Sequence, residues 1–141
     1  MTNQVLQPAG WALPRGYANG VVARGRWVVL AGQIGWNERC EFDSDDLVDQ
    51  VRQALTNVRV LLAEAGATPV HIVRMTWYLS DKREYLARAK EIGAVYRELI
   101  GSFAVAMSAV QVAALIEDRA RVEIEVTAVL PDSEDAAVGP G

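Results

Sequence analysis

The sequence predicts an α+β domain in the order ββαβαββ, with a mixed sheet and two helices packed on one of its faces. Three observations carry this. Two segments repeat apolar residues at steps of three and four, shorter segments alternate apolar with polar residues, and glycine, proline or aspartate punctuates the boundaries. Each helical segment has a single apolar stripe, so each covers a sheet along one side only.

The elements follow in order. Pro8, Gly10, Pro14, Gly16 and Gly20 predict an irregular arm over residues 1–16. The domain is expected over residues 17–130, and the acidic, Gly/Pro-containing stretch 131–141 reads as a disordered tail. Val21–Ala23 and Trp27–Ala31 read as strands joined by a tight turn at Arg24-Gly25-Arg26. Gly32-Gln33-Ile34-Gly35 ends the second strand, and its paired glycines let a ligand or another backbone come close. Asp43, Ser44, Asp45 and Asp46 then supply an N-cap and acid for the positive end of a helix dipole. Leu47, Val51, Leu55, Val58, Leu62 and Ala65 share one face of that helix, and Gly66 closes it.

His71–Leu79 alternates as a strand, with Val73, Met75, Trp77 and Leu79 on one side. The second helix starts at Asp81, with Glu84 as its capping-box partner. Its stripe is Tyr85, Ala89, Ile92, Tyr96 and Leu99, and Gly101 ends it. Residues 106–115 form a strand that is apolar on both parities. Residues 121–130 place Val122, Ile124, Val126 and Ala128 on one face and Arg121, Glu123, Glu125 and Thr127 on the other. With both helices on one side, the opposite sheet face needs a partner, so oligomerisation is expected.

Composition narrows the function. The 14 Lys and Arg against 18 Asp and Glu give a net charge of −4, so nucleic acid is not an expected partner. One cysteine, Cys40, permits no internal disulfide, which agrees with a cytoplasmic protein. No signal peptide is read at the start, and no membrane partner is expected, because no apolar run nears the roughly 18 residues of a span. One His and one Cys make no zinc set, and there is no Walker-type or G-x-G-x-x-G loop, so no metal or cofactor is expected.

Several segments resemble the motifs of one family. Gly32-Gln33-Ile34 resembles its SGQI turn, and Gln53-Ala54-Leu55-Thr56-Asn57-Val58 its QALxNL helix. Glu64-Ala65-Gly66-Ala67 resembles its EAGA helix end. Ser108-Ala109-Val110-Gln111-Val112-Ala113 resembles its RSAVQVA strand without the Arg, and Val122-Glu123-Ile124-Glu125 its VEIEA strand. On these residues the chain is identified as a member of the RidA/YjgF family, the Rid superfamily, over residues 17–130. The resemblance implies a chorismate-mutase-like fold and a homotrimer with clefts between subunits. It also implies hydrolysis of enamine or imine metabolites to ketoacids and ammonia without a cofactor. Aminomuconate-like compounds are one such substrate class, and endoribonuclease is an older family name.

The resemblance also implies site residues. Tyr17 matches the ligand-site tyrosine, Gly32 the glycine whose backbone faces the ligand, and Glu123 the glutamate that holds water. The family's central arginine falls at Met107. An arginine binds carboxylate through a rigid, bidentate fork of donors, and methionine has neither donor nor charge. Three readings follow. The substrate differs, with Trp36 and Trp77 lining an aromatic pocket; or Arg121 or Arg15 replaces the lost cation; or the domain binds a small molecule without turning it over. Gln111 contacts either a ligand or its cross-strand neighbours. Nuclease action is the least expected, because His71 is the lone histidine and reads as structural. Trp77 reads as core packing, and Cys40 lacks a base in its sequence neighbourhood.

Overall fold

The computed structural model describes residues 3–132. Its strands are β1 (Gln4–Leu6), β2 (Gly20–Val22), β3 (Arg26–Ile34), β4 (Ile72–Leu79), β5 (Ala106–Gln111) and β6 (Val122–Leu130). The helices are α1 (Leu47–Glu64), α2 (Lys82–Ala87) and α3 (Ala89–Leu99), with a 3₁₀ turn at Pro69–His71. The main sheet runs β3-β6-β4-β5, and β1 and β2 form a separate two-stranded ribbon. β6 is antiparallel to both neighbours, while β5 is parallel to β4. That parallel pair requires a crossover, which α2 and α3 supply. The sheet is therefore mixed, and the element order matches the expected one, with β1 added in the arm.

α1 forms where its pattern predicts. Asp46 caps it by accepting from the Asp49 N–H at 3.1 Å. At the other end the Ala67 N–H donates to the Leu62 carbonyl and the Gly66 N–H to the Ala63 carbonyl, with Gly66 at φ +75°. This pair of hydrogen bonds over a left-handed glycine stops the helix. Ala65, expected in the stripe, is exposed because it sits at this cap. Leu47, Val51, Ala54, Leu55, Val58 and Leu62 are buried against the sheet residues Met75, Trp77, Val122, Ile124 and Val126.

Four local expectations are corrected. The Val21 segment does not make a hairpin with β3. β2 pairs with β1 instead, and β3 pairs with β6. Gly25 has φ +145°, and a Cβ there would overlap the Leu130 carbonyl, so the glycine serves a close approach of two backbones. The second helix is broken at Arg88 (φ −107°, ψ 14°) into α2 and α3. Asp81 caps α2 through the N–H groups of Arg83 and Glu84, but the Glu84 carboxylate turns to Arg121 rather than closing a capping box. The strand expected to reach residue 115 ends at Gln111. β5 is an edge strand, and after the Val112 N–H bond to the Leu79 carbonyl the chain leaves the sheet. Of the stretch read as a disordered tail, residues 133–141 lie outside the described residues.

The sheet face away from the helices is apolar only at its margins. Trp27 and Val29 on β3 are 73% and 71% exposed, and Val110 on β5 is 45% exposed. Between them lie Thr76 and Tyr78 of β4 and Glu123, Glu125 and Thr127 of β6. No described helix is long and apolar enough to cross a membrane.

Candidate functional site

Two groups of predicted residues gather, on opposite sides of the sheet. The first is on the uncovered face. A side chain on Gly32 would run into the Glu123 carboxylate, so Glu123 lies directly over the glycine at the β3 bulge. Glu123 is half-buried, and no hydrogen bond or ion pair engages its carboxylate among the described residues. Its neighbour Glu125 is occupied, accepting from the Tyr78 hydroxyl at 2.9 Å. That bond is the largest cause holding the Tyr78 hydroxyl above its ordinary pKa.

The second group lines a cavity of about 690 Å³ beside β5 on the helix side. Met107 is in register with the buried Met75 of β4, so it shares the face that the helices cover. Tyr17 closes one side. The Ala18 N–H donates to the Val105 carbonyl at 2.8 Å, and this bridge pins the 15–18 segment across the start of β5. Tyr85, Tyr96 and Phe103 make the wall with Trp77, whose ring lies 6.3 Å from both tyrosines. Burial pushes the Tyr96 hydroxyl up to about 12, which keeps it a neutral donor. The Trp77 Nε1 is buried without an acceptor.

Other predicted residues sit elsewhere. Trp36 packs on Phe42 at 5.9 Å between ring centres, and the Arg119 guanidinium lies over that phenyl ring at 5.3 Å. The Trp36 carbonyl accepts from Asn57 Nδ2 at 2.8 Å, so the motif asparagine of α1 holds the turn after β3. Gln111 Oε1 accepts from the Lys82 N–H at 2.8 Å and anchors the start of α2. Arg121 is tied to the Asp45 carbonyl and to Glu84 at 3.3 Å, away from both groups. Of the two arginines considered as replacements, Arg15 is the one that reaches the cavity. His71 Nδ1 accepts from the Thr68 N–H at 3.0 Å, a structural cap. Cys40 is exposed on its loop. Among the described residues no three His, Cys, Asp or Glu side chains gather as a metal site.

Sequence reasoning missed Arg97, and it took Tyr85 and Tyr96 for simple core. Arg97 lines the cavity, its Nη1 folded to 3.2 Å from where a Gly93 Cβ would stand. The signal was a glycine inside an otherwise regular helix, with an arginine four residues on, hence on the same side.

A family model described as Endoribonuclease L-PSP matches residues 12–130. A RutC family protein of Synechocystis is 32% identical, covering 93% of this chain and 99% of its own. The 2-iminobutanoate/2-iminopropanoate deaminase of Capra hircus is 33% identical over 74% of this chain and 73% of its own. A solved structure of a conserved Rid-family protein of unknown function, YyfB from Yersinia pestis, superposes with a TM-score of 0.81. It is 32% identical, and the match covers 92% of this chain and 100% of that one.

Proposed function

The chain belongs to the endoribonuclease L-PSP family, that of the RidA/YjgF and RutC proteins, and from this premise we propose that it is an imine or enamine deaminase acting at a cleft between two copies of itself. The observation that carries the reading is the unengaged Glu123 carboxylate over the bare backbone of Gly32. A relative is a deaminase of 2-imino acids. Glu123 holds a water and takes its proton as the oxygen attacks the C=N carbon. The tetrahedral carbinolamine then collapses as the nitrogen, protonated, leaves as ammonia. One imine and one water give one carbonyl compound and one ammonia. The Gly32 backbone meets the polar end of the ligand.

The Tyr17–Met107 cavity holds the rest of the substrate. The sheet separates this cavity from Glu123 within one subunit. The reading therefore requires a second copy, whose uncovered face would bring Glu123 to the cavity mouth. The homotrimer implied by the family resemblance provides such an arrangement. An aminomuconate-like imine is the substrate class we would test first.

The test is ammonia release from a panel of freshly generated enamines and imines. We expect catalysis above the buffer rate, falling by about 10²-fold or more in Glu123→Gln, the scale of a lost general base. Buffer-level rates for both proteins across the panel overturn the reading. Met107 favours one alternative, a binding trimer whose site has lost its carboxylate-holding cation. In that case Met107→Arg gains deaminase activity that the parent chain lacks. Nuclease action has the least support: the lone histidine caps a turn, and the net charge is −4.

A further inference from the structure

The cavity beside β5 keeps positive charge even though position 107 is methionine. Arg15 and Arg97 both line it, and no Asp or Glu does. Outside the cavity Arg39, Arg52, Arg88, Arg119 and Arg121 are held by carboxylates, while Arg24, Arg26, Arg59, Arg74 and Arg83 make no salt bridge among the described residues, so the cavity pair is set apart by its place and not by being unpaired. Among the described residues Arg15 and Arg97 make no salt bridge. On α3 the contrast is local, because Glu98 beside Arg97 reaches away to Arg52 at 2.7 Å. Gly93 leaves the space into which the Arg97 guanidinium folds. Two arginines without a salt bridge, lining a cavity without acid, suit an anion.

The walls add a second requirement. Trp77, Tyr85, Tyr96 and Phe103 present aromatic surface. At about 690 Å³ the cavity is within the range of drug-sized ligand sites, and a four-carbon acid would leave most of it empty. We infer that the site selects a planar, aromatic or extended unsaturated carboxylate. Arg97 is its principal clamp, and Arg15 a second cation at the mouth. These two arginines take the role left open at Met107. The inference deepens the deaminase reading by naming its substrate class, but it makes its own claim about binding.

Titration calorimetry with unreactive probes tests it on the protein as it exists in solution. The probes are 2-naphthoate, its uncharged counterpart 2-naphthamide, and propionate. Wild type should bind naphthoate at least about tenfold more tightly than either of the others. Arg97→Ala should erase about tenfold of the naphthoate preference, Arg15→Ala a smaller part, and Arg97→Lys should keep some of it, because a point charge lacks the planar fork. Arg39→Ala, an arginine outside the cavity and paired with Glu41, should leave the naphthoate-to-naphthamide ratio unchanged. Both cavity arginines are exposed, so these variants are expected to fold. Equal affinity for naphthoate and naphthamide, or a ratio unmoved by Arg97→Ala, overturns the clamp. Ammonia release is scored separately. Arginine-dependent naphthoate binding with no turnover of any imine keeps this inference and removes the deaminase reading. Imine turnover with an unaltered KM in Arg97→Ala does the reverse.

Discussion

At Gly32 a single carbon decides whether Glu123 keeps its place. A Cβ there would stand 2.7 Å from the Glu123 Cδ, inside any real contact distance. Gly32→Ala should therefore turn the carboxylate away and cut ammonia release nearly as far as Glu123→Gln. Because Glu123 is half-buried and flexible, the thermal midpoint should fall only by a few degrees. A variant with full activity would detach the glycine from the site. The same scale shows why Glu123 rather than Glu125 is the candidate. They share a face and a residue type, yet Tyr78 holds one and leaves the other. The VEIE alternation shows that both carboxylates face the same way, but not which of them a tyrosine on another strand will reach.

The junction where α1 begins and α2 gives way to α3 is tied by one residue. Asp46 caps α1 and accepts from Arg88 Nη1 at 2.9 Å, while Arg88 also binds Glu91 at 2.7 Å. The Arg88 hydrogen bond is the largest cause holding the Asp46 carboxyl below the usual 3.8. With a depressed folded pKa, the stabilisation is complete above the unfolded value, about 3.9, and is lost as pH falls through the folded one. Urea midpoints measured from pH 6 down to pH 2 should drop below about pH 4, and less steeply in Asp46→Asn, which keeps the cap but not the charge. At neutral pH Asp46→Ala should cost about 1 kcal/mol, mostly the cap, since the pair is partly exposed and solvent weakens it. On α3, Gly93→Ala should stabilise the fold by about 0.5 kcal/mol, because alanine suits a helix interior and the Arg97 guanidinium can yield by a few tenths of an ångström. A calorimetric melt checks this, and a lowered Tm would show that Arg97 cannot yield.

At the scale of the molecule, the two halves of the proposed site lie on opposite sides of one sheet. Trp27 and Val29 stand open to solvent on the side that carries Glu123. Large exposed apolar side chains beside a polar strip fit a surface meant to be covered. Light scattering should therefore give a trimer mass, and a double change of Trp27→Glu and Val29→Glu should yield folded subunits that release no ammonia. A well-folded, active monomer would contradict the shared cleft.

Much of the architecture was readable in the amino-acid order. The three-and-four spacing of Leu47–Leu62, the aspartates at 46 and 81, the glycine at 66 and the alternation of Val122–Ala128 are local signals, and local signals set helices, caps and strand faces. The family motifs likewise sit in short runs. What packing alone decided was which distant groups meet. Gly25 faces Leu130 across a hundred residues, Glu84 takes Arg121, and Arg15 and Arg97 face one cavity from an arm and a helix. Periodicity reports how a segment turns about its own axis. It carries no record of the neighbour that the turned face will meet, and so Met107 and the candidate Arg15 were legible in the sequence while Arg97 was not.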